Sequence, residues 1–80
     1  MRFAAYPQDH EPCHVHGFLG ETEVIVDLLQ DGNVDLASRK DAVRPANAKK
    51  SDIRKILDKA ATHFEELVAL WEEMHESNTS

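Results

Sequence analysis

The chain has 80 residues, of which 41% are hydrophobic and 30% are charged, and its formal net charge is −6. This length allows one domain with a small core, which leaves oligomerisation open. The acidic balance argues against tight, non-specific binding of nucleic acid, because that binding depends on neutralising phosphates. No apolar run approaches the ~20 residues that span a bilayer, and the N-terminus lacks a signal-peptide pattern. The single cysteine excludes an internal disulfide framework, so we expect a cytoplasmic protein without membrane association.

Four strands are predicted in the first half of the chain, each ended by a proline, a glycine or a turn signal. They span residues 2–6, 14–19, 22–29 and 34–37. The third is rich in β-branched residues and places Val24, Val26 and Leu28 on one face. The Asp31-Gly32 pair predicts a type I′ hairpin turn before the fourth strand.

One long amphipathic helix is predicted over residues 51–76, with Ser51 as its N-cap. The preceding residues, 38–50, show no clear period and are predicted to form an exposed connection. The helix would be about 39 Å long, which is more than a small sheet covers. Either it bends near Thr62, or its far end around Trp71 packs on another chain. Its apolar stripe recurs at three- and four-residue steps and consists of Ile53, Ile56, Leu57, Ala60, Phe64, Leu67, Val68, Trp71 and Met74.

These elements predict an α+β fold, in which a small antiparallel sheet of three to four strands packs on one long C-terminal helix. The apolar face of the third strand should contact the helix stripe at Ile56, Ala60, Phe64 and Leu67. A second copy of the chain or a partner protein is expected to bind the C-terminal half of the helix. The residues predicted for that interface are Leu67, Met74 and an exposed Trp71.

Three of the five histidines lie within eight residues, around Pro12. They are His10, His14 and His16. Imidazole suits both proton transfer and metal ligation near neutral pH. His14 and His16 are two residues apart in a predicted strand, so both should point to one side of the sheet. We expect this cluster at the edge or on the open face of the sheet, outside the core.

Three roles for the cluster remain open from the residues alone. It could bind a divalent metal such as zinc, with ligands drawn from Asp9, His10, Cys13, His14 and His16. It could act without a metal, with His10, His14 and His16 as general acid and base in the cleavage of a phosphodiester. Alternatively, the histidines are structural and hydrogen-bond to the backbone or to each other.

The basic residues are concentrated in one part of the chain, because eight of the nine fall between residues 39 and 59. A local basic patch of this kind could bind RNA, DNA or an acidic partner, although the same charges could simply keep a loop and a helix start solvated. The residues assigned to the patch are Arg39, Lys40, Arg44, Lys49, Lys50 and Arg54.

The segment from Tyr6 to His16 resembles the signature of a small bacterial family, domain-of-unknown-function family 4160. Members show an aromatic residue, an Asp-His-x-Pro-Pro-His-x-His core and a helix ending in Glu-Glu-Leu…Trp, which Glu65-Glu66-Leu67 and Trp71 match. Cys13 stands where the family has its second proline. Carried over by position, the family's residues fall on Asp9, His10, Pro12, His14, His16 and Trp71.

The resemblance implies a toxin–antitoxin-like two-gene module. In it this chain would be the toxin or effector half, and a small cognate protein would be its partner. The histidine cluster would then act on RNA or bind a metal. The alternative is a non-catalytic protein-interaction module in which the histidines are structural.

Overall fold

The structure is a computed structural model that describes residues 1–6 and 13–76, with the side chains up to Met74. It has the predicted α+β architecture, an antiparallel sheet packed against helices. The strands are β1 (Arg2–Ala4), β2 (His14–Leu19), β3 (Thr22–Leu28), β4 (Val34–Leu36) and β5 (Val43–Arg44), and the helices are α1 (Lys50–Thr62) and α2 (Phe64–Glu76). Within the described residues no helix is both long enough and apolar enough to span a bilayer.

The five strands pair in the order β1-β2-β3-β4, and β5 also pairs with β3, beside β4. Because side chains alternate along a strand, the register divides the sheet into two faces. The helix face carries Val15, Gly17, Val24 and Val26, and Ile56 of α1 packs against it at Gly17. The second face carries Arg2, Ala4, His14, His16, Phe18, Glu23, Ile25, Asp27 and Arg44.

The core lies between the helix face and the two helices, as the apolar patterns predict. Val24, Val26 and Leu28 form one cluster with Ile56 and Ala60. Leu67 belongs to the same cluster, and the half-buried Phe64 packs against it. The predicted contact between the third strand and the helix stripe is therefore confirmed.

The predicted single helix is interrupted at His63, where φ is −107° and ψ is 28°. One residue earlier, the Thr62 hydroxyl donates a hydrogen bond of 3.0 Å to the Asp58 carbonyl. Such bonds from a threonine to the preceding turn often bend helices. The helix is thus interrupted where the first alternative placed its bend, and α2 contacts β2 of the same chain.

The start of α1 differs slightly from the prediction. The Lys49 carbonyl accepts hydrogen bonds from the amides of Asp52 (3.0 Å) and Ile53 (3.2 Å), so the helix begins at Lys50 with Lys49 as its N-cap. The Lys49 side chain makes no capping hydrogen bond. The assignment of Ser51 as N-cap is wrong, because the first carbonyl acceptor lies two residues before it.

Residues 38–50 are not simply an exposed connection. The Ile25 amide donates to the Ala42 carbonyl (2.8 Å), the Ala37 amide donates to the Ile25 carbonyl (3.0 Å), and β5 follows directly. The side chains of Ile25, Ala37 and Ala42 form a second, smaller buried cluster. The prediction failed here because a two-residue strand has no detectable period, and only long-range pairing with β3 defines it.

The turn between β3 and β4 is where Asp31-Gly32 predicts it, but its type is different. A type I′ turn needs positive φ at both central residues. Among the described residues only Gly20 and Gly32 have positive φ, and Gly32 has a φ of 89°. The Leu29 amide donates to the Asn33 carbonyl (2.8 Å), and the Gly32 amide donates to the Leu29 carbonyl (3.2 Å). This is a three-residue loop closed by a left-handed glycine, the next commonest hairpin connection.

Asp31 gives this turn a testable dependence on pH. Its carboxylate accepts hydrogen bonds of 3.1 Å from the backbone amide and from the side-chain amide of Asn33. These bonds, with the backbone one the larger cause, lower the pKa of Asp31 below its usual 3.8. A lowered folded-state pKa contributes stability that is present above the unfolded-state pKa and is lost as the pH falls through the folded-state pKa.

Asp31→Ala is therefore expected to lower the urea midpoint slightly at pH 7, and this difference should shrink as the pH falls below about 4. The measurement is urea unfolding, monitored by circular dichroism, at pH 7 and at a pH below about 4. Glu21→Gln, which removes an exposed acid in the other hairpin, is the control. If the urea midpoints of Asp31→Ala and the parent protein differed equally at both pH values, the hydrogen bonds from Asn33 would not depend on the charge of Asp31.

Candidate functional site

The histidine cluster is described in part. Asp9 and His10 lie outside the described residues, so their roles as ligand and as acid or base stay predictions. His14 and His16 lie side by side on the second face of the sheet, as their spacing predicts. Their ring centroids are 5.5 Å apart and the ring planes are inclined by 59°. The prediction that β2 would bring these two imidazoles together is confirmed.

His14 is in the interior of the molecule. Its exposed fraction is 0%, and its ring centroid lies 5.0 Å from that of Trp71 in α2. The expectation that the cluster would lie outside the core is therefore wrong for His14. The reason is that Trp71 of α2 packs against His14, and α2 contacts β2. A ring buried in this way does not reach a dissolved substrate, so His14 is suited to a positioning role.

His16 is the more accessible imidazole, with 13% of its side chain exposed. Its Nδ1 lies 3.0 Å from Oε2 of Glu23, which is 27% exposed. An ionised carboxylate only accepts hydrogen bonds, so Nδ1 carries the proton and Nε2 is the basic nitrogen of the neutral ring. The ring of Tyr6 contacts that of His16 edge-on, with the centroids 4.9 Å apart.

Four rings thus form a continuous row across the end of the sheet: Tyr6, His16, His14 and Trp71. Glu23 is not among the predicted site residues, although the sequence contains a signal for it. Gly20 and Glu21 form a two-residue hairpin loop, so Leu19 pairs with Thr22 and every second residue onward shares a face. Counting from that loop places Glu23 on the same face as His16.

A carboxylate that orients an imidazole serves two kinds of site. It fixes the tautomer of a general base, and it orients histidines that bind metals. Within residues 1–6 and 13–76 no group of three or more His, Cys, Asp or Glu side chains is arranged to hold a metal ion. Cys13 is half-buried, and its carbonyl accepts a hydrogen bond from the Leu28 amide (2.9 Å). A zinc site that includes Asp9 and His10 stays a prediction.

The six residues of the predicted basic patch are all exposed. They fall into two groups, with Arg39, Lys40 and Arg44 near the sheet edge formed by β5, and with Lys49, Lys50 and Arg54 at the start of α1. Arg44 is the cross-strand neighbour of Glu23. It also donates to Asp41 (3.0 Å), and this hydrogen bond holds the pKa of Asp41 below its usual value.

The predicted interface does not have the expected surface. Leu67 and Trp71 are each only 5% exposed and belong to the chain's own core, while Met74 is half-buried against it. The expectation of an exposed Trp71 is wrong, because α2 contacts β2 and its apolar side chains join the core of the same chain. Self-association through these side chains is therefore not proposed.

Comparison with known proteins identifies one family. The family described as "Domain of unknown function (DUF4160)" matches residues 1–72, which include the sheet, α1 and α2 through Trp71. No curated protein and no solved structure shows significant similarity to the chain. Since the match covers most of the sequence, the chain belongs to the DUF4160 family.

Proposed function

We propose that this protein is the effector half of a two-protein, toxin–antitoxin-like module and that it acts on RNA, with His16 as the reactive imidazole. The observation that carries the proposal is the 3.0 Å hydrogen bond from His16 Nδ1 to Glu23. This bond directs proton transfer to Nε2, and the side chain is partly exposed. A small cognate protein that restrains the effector is part of the same proposal, as is a cytoplasmic location.

The chemistry proposed for His16 is the removal of a proton from a ribose 2′-hydroxyl. The 2′-oxygen then forms a bond to the adjacent phosphorus, the bond from phosphorus to the 5′-oxygen breaks, and the leaving oxygen takes up a proton. The products are a 2′,3′-cyclic phosphate and a 5′-hydroxyl end, with no change in oxidation state. Glu23 stabilises the imidazolium that forms, as a carboxylate does for a general base.

A cation is needed near the phosphorus, because negative charge develops there in the transition state. Arg44 is the basic residue with a defined place beside the dyad, since it is the neighbour of Glu23 across β3 and β5. Its partner Asp41 is 56% exposed, and exposed pairs of this kind contribute little. A phosphate could therefore replace Asp41 on the guanidinium.

Expression of His16→Asn is expected to abolish growth inhibition, because asparagine can donate a hydrogen bond to Glu23 but cannot accept the proton. Glu23→Gln should weaken inhibition without abolishing it. Growth curves and the end groups of cellular RNA are the measurements, and circular dichroism confirms folding. His63→Gln, at the break between the helices, is the control. Equal toxicity of His16→Asn and the parent protein would disprove the catalytic role.

Elemental analysis of the native protein separates the two roles that Glu23 could support. A general base needs no metal, so we expect less than stoichiometric zinc. Stoichiometric zinc that disappears in His16→Asn would instead identify His16 as a ligand, and the segment that contains Asp9 and His10 would have to supply others.

The second candidate is a non-catalytic protein-interaction module, which the burial of His14 against Trp71 favours. In such a module the imidazoles stabilise the junction between β2 and α2. His14→Ala would then lower the free energy of unfolding by about 1–3 kcal/mol, and His16→Asn would leave toxicity unchanged. Urea unfolding and growth assays of the two variants together distinguish the candidates.

A further inference from the structure

The second face of the sheet carries a row of side chains beside the His16–Glu23 pair. Arg2 of β1 pairs with Phe18 of β2, Phe18 pairs with Glu23 of β3, and Glu23 pairs with Arg44 of β5. Cross-strand partners share a face, so the four side chains form one row over four strands. Arg2 and Arg44 at its two ends are exposed, and Phe18 and Glu23 are half-buried.

Arg2 and Phe18 form a layered contact, in which the Arg2 Cζ atom lies 4.4 Å from the centroid of the Phe18 ring. Phe18 belongs to neither of the two hydrophobic clusters that the described residues form. The ring thus supports a guanidinium on the surface instead of filling the core. A guanidinium plane held in this way is a surface on which nucleobases stack.

We propose that the Arg2–Phe18 pair stacks a base of single-stranded RNA next to His16. The inference rests on the proposed function and names its substrate class. Phe18 and His16 are two residues apart on β2, which is about 7 Å along the strand. A base on Arg2 would therefore bring its neighbouring ribose and phosphate toward the His16–Glu23 pair. Stacking requires an unpaired base, and the grooves of an RNA duplex do not offer one.

The charges at this end of the face complement a phosphate chain. Two exposed cations, Arg2 and Arg44, lie in this row on either side of Glu23. The other acids nearby are Asp41, which is paired with Arg44, and the exposed Glu21 in the hairpin loop. Glu23 and Asp41 already accept hydrogen bonds, from His16 and Arg44 respectively. The opposite end of the same face carries the cross-strand acids Asp27 and Asp35. An RNA strand is thus directed to the arginine end of the sheet.

The test is the anisotropy of a fluorescent, unstructured oligoribonucleotide titrated with the full chain at low salt. The same strand annealed to its complement serves as duplex probe. Phe18→Leu keeps an apolar side chain but removes the ring, and Arg2→Gln removes the guanidinium. Each should weaken binding of the single strand about tenfold. Lys59→Gln removes the same charge from an exposed position on α1 and should change it by less than about twofold.

The proposal is overturned if the parent protein does not bind the single strand, if the duplex binds equally well, or if Phe18→Leu binds like the parent. Growth assays separate this failure from failure of the proposed function. If His16→Asn abolishes toxicity while Phe18→Leu remains fully toxic, the reaction stands and the stacking platform is wrong. If Phe18→Leu loses RNA binding while His16→Asn remains toxic, the platform stands and the reaction at His16 is wrong.

Discussion

Trp71→Ala is expected to lower the free energy of unfolding by about 3–5 kcal/mol, the usual loss when a buried tryptophan is truncated. Trp71 is 5% exposed and covers His14. The substitution removes this cover and leaves a cavity between α2 and β2. A domain of this size has a total stability of about 4–12 kcal/mol. Trp71→Ala should therefore remove at least about a quarter of the protein's stability.

Urea unfolding measures this effect, followed by far-ultraviolet circular dichroism because Trp71 is the only tryptophan. Glu72→Ala changes the exposed neighbour on the same helix and should stay within about 0.5 kcal/mol of the parent protein. Trp71→Phe keeps an aromatic ring on His14 and should lose less than Trp71→Ala. If Trp71→Ala had the parent's stability but a different oligomeric state, the side chain would belong to an intermolecular interface after all.

Gly17→Val is expected to destabilise the fold by about 3 kcal/mol through overpacking. The first atom of any side chain at this position would lie 2.5 Å from Cγ2 of Ile56 and 2.8 Å from Cε1 of Phe3. Ile56 is fully buried, so it cannot move away without disturbing the centre of the core. Glycine at position 17 is what allows α1 to approach β2 so closely.

Urea unfolding again provides the measurement, and Gly20→Asn is the matched control. Gly20 lies in the neighbouring hairpin with a φ of 58°, a backbone conformation that side chains rarely adopt, but nothing lies within 4 Å of an added Cβ. Gly20→Asn should therefore lose about 1–2 kcal/mol from backbone strain alone, without a packing contribution. If Gly17→Val and Gly20→Asn lost equal amounts, the close approach of α1 to β2 would not be the cause.

The sheet could be predicted because its signals are local. Alternation with a period of two is visible within β3, and the same period places His14 and His16 on one face. The helix stripe is equally local, and its contact with Val24, Val26 and Leu28 followed from matching two apolar faces. The position of Glu23 on the same face as His16 could have been derived from the hairpin register around Gly20.

The features that could not be predicted depend on contacts between distant residues. The two-residue β5 is defined only by its pairing with β3, in which Val43 and Arg44 lie opposite Val24 and Glu23. The break at His63 was one of two alternatives that the length of the helix suggested, and the apolar period could not decide between them because it continues through the break. The burial of His14 depends on Trp71, which packs against it from α2 and lies far from it in the sequence.

By itself, the amino-acid sequence determined the α+β class, the two faces of the sheet and the pairing of His14 with His16, since backbone geometry dictates these from residue order alone. Tertiary structure decided which imidazole is accessible. Trp71 covers His14, while Glu23 orients His16 at the surface. The physical reason is that exposure depends on what packs against a side chain, and here that neighbour comes from 57 positions further along the chain.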